Sequence, residues 1–274
     1  MKTRRNEIKW HLLLAVIAFL MIIPIVFAIS NSFKTLPDAY SNILNIIPEN
    51  PTFDNYLQVF NQLPFWHITM NTFLIATAVT VFKTITSFLA AYAFVYCEFK
   101  GKNIIYFILI STMFIPFTVT MIPNYLTISA LGLGDSLLGV ILPQLGDALG
   151  IFLLRQSMRS IPGSLVEAVY LENAGHARIM GDIILPLTRP AVVSTGIIFF
   201  INSWNEYVWP VLILKSQSNY TLSLALQTYV SQEGGTEFTV AMAVSVMTML
   251  PPLMLYVIFQ KYIIDTFSMS GVKG

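Results

Sequence analysis

Residues 164–190 read SLVEAVYLENAGHARIMGDIILPLTRP, the one long stretch of this chain in which charge and helical periodicity coincide. Glu167, Glu172, His176, Arg178, Asp182 and Arg189 fall within it, whereas the flanking segments 136–154 and 191–214 carry one acidic residue each, Asp147 and Glu206. Leu165, Ala168 and Val169 recur at i, i+3 and i+4, and His176, Ile179, Met180 and Ile183 continue that spacing to i+7, which predicts two short amphipathic helices. Pro162-Gly163 breaks whatever helix precedes, and Ser164-x-x-Glu167 matches a capping box, in which each side chain satisfies an orphan backbone N–H of the other residue. Asn173 stands where the first helix should end; asparagine is the non-glycine residue that best accepts the left-handed conformation of a helix C-cap. Pro186 and Pro190 are predicted to close the second helix and open the next apolar segment.

Outward from this island the chain is apolar. Of its 274 residues 55% are hydrophobic and 11% charged, with a mean hydropathy of +0.70, too little polar surface to cover a soluble globule. The fold class this predicts is an all-α polytopic membrane protein, because a bilayer core of about 30 Å needs about 20 apolar residues per helix and the chain supplies six such stretches. They are expected near 10–30, 68–96, 103–124, 136–154, 191–214 and 238–260, leaving residues 1–274 as one transmembrane domain with a polar loop at 159–190. A formal net charge of +1 gives no basic field for nucleic acid. One cysteine, Cys97, excludes an internal disulfide, and His11, His67 and His176 are too dispersed for a metal site. No nucleophile, base and metal set converges, so the chain does not read as an enzyme, and no Gly-rich Lys-Ser/Thr segment is present to bind ATP by that route.

Lys2, Arg4, Arg5 and Lys9 before the apolar run 10–30 resemble a signal peptide, with Ala28-Ile29-Ser30 as a small-residue site. The run exceeds the apolar region of about 7–15 residues of a cleavable signal, so it reads as an uncleaved anchor, kinked at Pro24. In the loop that follows, Pro37, Pro48, Pro51 and Pro64 forbid long helix, while Lys34, Asp38, Glu49 and Asp54 are expected to keep the segment in water. The uncharged stretch 103–134 is longer than one span requires; the span is expected to end near Asn124, with a tail on the outer surface and turn chemistry at Leu131-Gly-Leu-Gly-Asp135. Counted outside the spans, twelve Lys and Arg fall on one side and two, Lys34 and Lys215, on the other. By the positive-inside rule both termini and residues 159–190 are expected in the cytoplasm.

The polar stretch resembles the coupling-loop signature of permease subunits of binding-protein-dependent ABC importers, written E-A-A, three residues, G, nine residues, I-x-L-P. Here it reads Glu167-Ala168-Val169, three residues, Asn173-Ala174, and then Ile183-Ile184-Leu185-Pro186 at the family spacing, with Val169 for the second Ala and Asn173 for the Gly. Ser32-Phe33-Lys34, Asn55-Tyr56-Leu57, Trp204-Asn205-Glu206-Tyr207 and Gly271-Val272-Lys273-Gly274 extend the likeness over nearly the whole chain and resemble the carbohydrate and glycerol-3-phosphate branch. The resemblance implies a bacterial inner-membrane subunit paired with a second permease, two ATPase subunits that bind ATP and Mg, and an extracytoplasmic solute-binding protein. No cofactor is then expected in this chain. Glu167, Ala168, Val169, Asn173, Ala174, Ile183, Leu185 and Pro186 become the ATPase-coupling residues, with Glu167 meeting the ATPase; the plainer alternative is that Glu167 only completes the capping box.

Lys83, Asp147 and Glu206 each cost about 2.5–3.5 kcal/mol inside a bilayer, so each is expected to face protein or water. As a translocation path, Lys83 would attract an anionic solute; alternatively it pairs with an acid and holds helices together. Trp204, Asn205, Glu206, Tyr207 and Trp209 suit sugar stacking and hydroxyl recognition, contact with a docked binding protein, or an interfacial aromatic belt. A rival function is an ion-coupled secondary transporter using Lys83, Asp147 and Glu206 as a relay, though such a carrier needs no structured insert of this kind.

Overall fold

A computed structural model describes residues 2–166, 175–230 and 238–269, and among these every regular element is helical. The longest are α1 (Lys2–Ser32), α4 (Phe65–Tyr96), α9 (His176–Asn205) and α12 (Phe238–Met269). Between them lie α2 (Leu36–Ser41), α3 (Asp54–Gln62), α5 (Lys102–Ser111), α6 (Phe117–Ala130), α7 (Leu137–Ile141), α8 (Ala148–Arg159), α10 (Val208–Ile213) and α11 (Leu222–Val230). Among the described residues, four helical segments are individually long and apolar enough to cross a membrane: Glu7–Ser32, Phe65–Tyr96, His176–Asn205 and Phe238–Lys261. Two bent pairs raise the number to six when each pair is one span.

The first bent pair, Lys102–Phe114 with Phe117–Ala130, turns by 100°. The straight span expected to run to Asn124 is interrupted at Ile115, which is extended (φ −81°, ψ 116°) because Pro116 disfavours helical geometry in the residue before it. The second pair, Leu137–Gln144 with Ala148–Arg159, bends by 45°, and Asp147 restarts the helix by accepting a hydrogen bond from Gly150 N at 2.9 Å.

Around Pro186 the structure differs from the sequence reading. In place of a second short helix closed by Pro186, α9 runs unbroken from His176 through a π turn at Met180–Ile184 into the apolar segment. Proline has no N–H to donate and its ring crowds the carbonyl four residues back. The widened turn, in which Leu185 N bonds Met180 O, lies immediately before it and lets the helix continue. At its far end α9 stops at Asn205, short of the expected Leu214; Glu206 is extended and α10 begins after it. Between the expected spans 191–214 and 238–260 the chain forms a further helix, α11.

The chain forms two compact units. Met1–His67 with Leu222–Pro251 make the first, whose polar centre gathers the loop after α1. Lys34 is fully buried and donates to Asn42 O at 2.9 Å and Asn45 O at 2.7 Å. Asn55 donates to Ser32 O and Lys34 O, both at 2.8 Å, and accepts from Thr239 Oγ1 at 2.9 Å. Tyr56 OH meets Ser32 Oγ at 2.8 Å, and its ring lies 5.3 Å from that of Phe33. The apolar window of α1 has no residue buried within the chain, as a helix surrounded by lipid or a partner requires.

Ile68–Thr221 with Pro252–Gly274 make the second unit. Within it α8 packs along α9, and Gly150 permits the approach: a Cβ there would overlap Phe199 of α9 and Ser87 of α4. This unit carries the described residues of the polar stretch and the charged residues inside the spans.

Candidate functional site

Glu167, Ala168, Val169, Asn173 and Ala174 lie outside the described residues. On either side the polar stretch is held firmly. Val166, Ile179 and Ile184 are buried together with Ala91 and Tyr92 of α4 and Leu154 and Met158 of α8. Ile183 packs against this cluster, whereas Leu185 and Pro186 are exposed. The π turn sets that division, widening the helix so that Ile183 and Ile184 come round to the face of Ile179 while Leu185 and Pro186 stay outside. Burial of such aliphatic side chains contributes about 1.5–3 kcal/mol each, so the stretch is anchored by its apolar face and presents its polar one. On that outer face Arg178 Nε and Asp182 Oδ2 are 3.5 Å apart at i, i+4, both exposed.

Two further contacts fix the anchor. Tyr92 OH and His176 Nδ1 share a hydrogen bond of 2.9 Å, with the rings edge to face at 5.8 Å. Tyr96 OH donates to Met158 O at 3.0 Å, joining the last turn of α4 to that of α8. Nearby, Lys102 Nζ donates to Val95 O and Cys97 O, cations being favoured at a helix C-terminus. The Arg155 guanidinium lies 3.9 Å over the Tyr106 ring.

Of the charged residues inside the spans, the structure brings Lys83 and Asp147 together, Nζ to Oδ2 at 3.4 Å, with side chains 16% and 24% exposed. Lys83 Nζ also lies 5.3 Å from the centre of the Phe199 ring, and the other Asp147 oxygen caps α8. Thr86 Oγ1 adds a hydrogen bond to Leu145 O at 3.0 Å in the same break. Lys83 is thus neutralised by an acid of its own chain, and Asp147 has a second task in starting a helix.

The 204–209 group divides differently. Trp204 and Trp209 are 1% and 2% exposed, the first stacked on Phe200 and the second donating to Gly139 O at 3.2 Å. Neither indole offers a face to a sugar or to lipid. Glu206 Oε1 accepts from Val208 N and Trp209 N and so caps α10, while Asn205 and Tyr207 are exposed. Asn205 Nδ2 donates to Ile201 O at 2.9 Å, one turn back in α9, so the hydrogen bonds of Asn205 and Glu206 are local to their own helix ends.

Asp135 carries a role the sequence reading did not assign. It follows the turn at Gly132 (φ +70°) and itself has φ +52°. Its carboxylate accepts from Ser216 Oγ and N, from Lys215 N at 2.8 Å and from Asn219 Nδ2 at 3.2 Å. These donors, Ser216 foremost, hold its carboxyl well below the usual carboxylate range. The turn was legible in the sequence; the partners 80 residues away were not.

Known proteins resemble this chain over its full length. Residues 83–267 match the family described as binding-protein-dependent transport system inner membrane component. The arabinooligosaccharides transport system permease protein AraQ of Halalkalibacterium halodurans is 30% identical, with 100% of both chains covered. The sn-glycerol-3-phosphate transport system permease protein UgpE of Yersinia pestis is also 30% identical, over 95% of each chain. Among solved structures, a chain of a bacterial ABC transporter involved in the import of the acidic polysaccharide alginate superposes with a TM-score of 0.83 at 27% identity, covering 94% of this chain and 96% of that one. A second, from a bacterial alginate ABC transporter in complex with an alginate pentasaccharide-bound periplasmic protein, has a TM-score of 0.68 at 15% identity and covers 93% of each, a likeness of fold alone. With a helical, membrane-crossing fold, an anchored polar stretch at the signature spacing and these relatives, the chain belongs to the binding-protein-dependent transport system inner membrane components and is a permease.

Proposed function

We propose that residues 1–274 form one permease domain of an ATP-driven importer, paired with a second permease and carrying a carbohydrate or glycerol-phosphate-like solute. Residues 164–186 dock on a cytoplasmic ATPase subunit. ATP and Mg are held there and not in this chain, and both termini lie on that same side. The observation that carries this reading is the continuity of α9: the second half of the signature stretch and an apolar helix of crossing length are one rod, clamped by α4 and α8. A push delivered to residues 176–186 is therefore carried into the membrane along one continuous helix. The substrate class is supported by the arabinooligosaccharide and glycerol-3-phosphate relatives, and the docking of a binding protein by the family description.

In this reading the exposed Asn205 and Tyr207, rather than the buried indoles, are the polar groups of the 204–209 segment available to solute or binding protein. The test is purification followed by reconstitution. Co-purification with an ATPase and solute-stimulated, vanadate-sensitive uptake are expected, and uptake driven by a proton or sodium gradient alone would overturn the reading. Glu167→Lys is expected to uncouple ATP hydrolysis from uptake while the complex still assembles; normal transport by that variant overturns the docking role of residues 164–186.

A further inference from the structure

The apolar cluster around the polar stretch fixes how closely α9 approaches α4 and α8, but apolar contact is non-directional and leaves rotation and register open. Hydrogen bonds supply direction. Tyr92 lies one turn before the end of α4, its ring 3% exposed and packed among the residues that hold Ile179 and Ile184. Its hydroxyl meets Nδ1 of His176, the exposed first residue of α9. The Tyr92 ring in turn lies 5.2 Å from that of Tyr96, whose hydroxyl is bonded to the last turn of α8. Three helix ends are thereby joined within the signature stretch.

We propose that the Tyr92–His176 hydrogen bond is a positioning contact of the transport cycle. It locks the start of α9 to the end of α4, so that displacement of residues 164–186 moves α4 together with α9's own continuation. Because α4 also carries Lys83, tied to the start of α8 through Asp147, the displacement is delivered at both ends of the α4, α8 and α9 packing. The inference rests on the docking role proposed above for residues 164–186.

The test uses the complete importer in lipid vesicles and measures solute transported per ATP hydrolysed. Tyr92→Phe keeps the buried ring and removes only the hydroxyl; His176→Ala removes its partner. Each is expected to lower the ratio by about two- to tenfold, the worth of one hydrogen bond, with assembly and ATP hydrolysis retained. The double variant should fall no further than either single one, and His176→Asn, which returns a polar atom near the Nδ1 position, should recover part of the loss. Losses that add in the double variant, or a fall in thermal stability with an unchanged ratio, would overturn the inference. Glu167→Lys measured alongside separates the two levels: if it uncouples while Tyr92→Phe does not, only the positioning contact fails, and if it too leaves the ratio unchanged, the docking role fails and this inference with it.

Discussion

Lys34 and Lys83 are accommodated in different ways, the first against its expected exposure and the second by the acid pairing its place in a span calls for. Lys34 belongs to a proline-rich loop and reads as a solvated residue, yet it is fully buried, its ammonium held by the carbonyls of Asn42 and Asn45. Lys83 lies in the middle of an apolar helix, yet keeps 16% of its side chain exposed and has an acid partner at 3.4 Å. A short loop has many carbonyls with no helical partner, and a lysine can satisfy several at once while its stem packs on apolar surface. In a spanning helix the carbonyls are already used by the backbone, so the charge must find another side chain. Burial thus follows the supply of free acceptors rather than the polarity of the surrounding sequence.

This contrast can be broken experimentally. The largest effect is expected from Lys34→Ala, which removes two charge-assisted hydrogen bonds from a closed loop, leaving Asn42 O with Asn45 N and Asn45 O with Ser30 Oγ alone, and should cost about 2–4 kcal/mol, read as a lowered melting temperature in detergent. A shift indistinguishable from zero would mean that water replaces the ammonium without loss. Lys83→Met should cost less, roughly 1–2 kcal/mol, because the pair is partly exposed, and Lys83→Met combined with Asp147→Asn should recover some of it while leaving the α8 cap in place. If the double variant is worse than the single, the carboxylate serves the cap and the pair contributes little. The smallest effect is a pH dependence at Asp135, a third charged residue that finds its partners in a loop. Its folded-state pKa is depressed, so its anchoring of Lys215, Ser216 and Asn219 is complete above the ordinary carboxylate value of about 4 and is lost as pH falls below it toward the folded value. The stability gap between the wild type and Asp135→Ala should therefore narrow on acidification from pH 7 towards pH 3; a gap constant with pH would assign the effect to shape instead of charge.

The candidate site was legible in part. Ile183, Leu185 and Pro186 were marked by their spacing, but Ile184, the fully buried member of that group, was not, because the π turn shifts which residue faces the cluster. Lys83 and Asp147 were singled out separately by their cost in a bilayer, and only the packing of α4 against the bent pair shows that they meet. The indoles at 204 and 209 read as surface groups because an aromatic beside amide and carboxylate groups has the same composition whether it faces solvent or core. Ser32-Phe33-Lys34 and Asn55-Tyr56 read as separate short motifs, while Asn55 bonding the carbonyls of Ser32 and Lys34 makes them one object.

The sequence by itself determined the solvent this chain requires, the number of apolar segments and the place of the polar stretch among them. Those are properties of composition and period, summed along the chain, and no contact between distant residues is needed to read them. Tertiary structure alone decided which polar groups are partnered across the chain. A hydrogen bond such as Tyr92 to His176 spans 84 residues, and Asn55 to Thr239 spans 184. Such distances are closed only when packing brings helix ends together, and the free energy of one polar contact is too small to leave a periodic trace in the sequence.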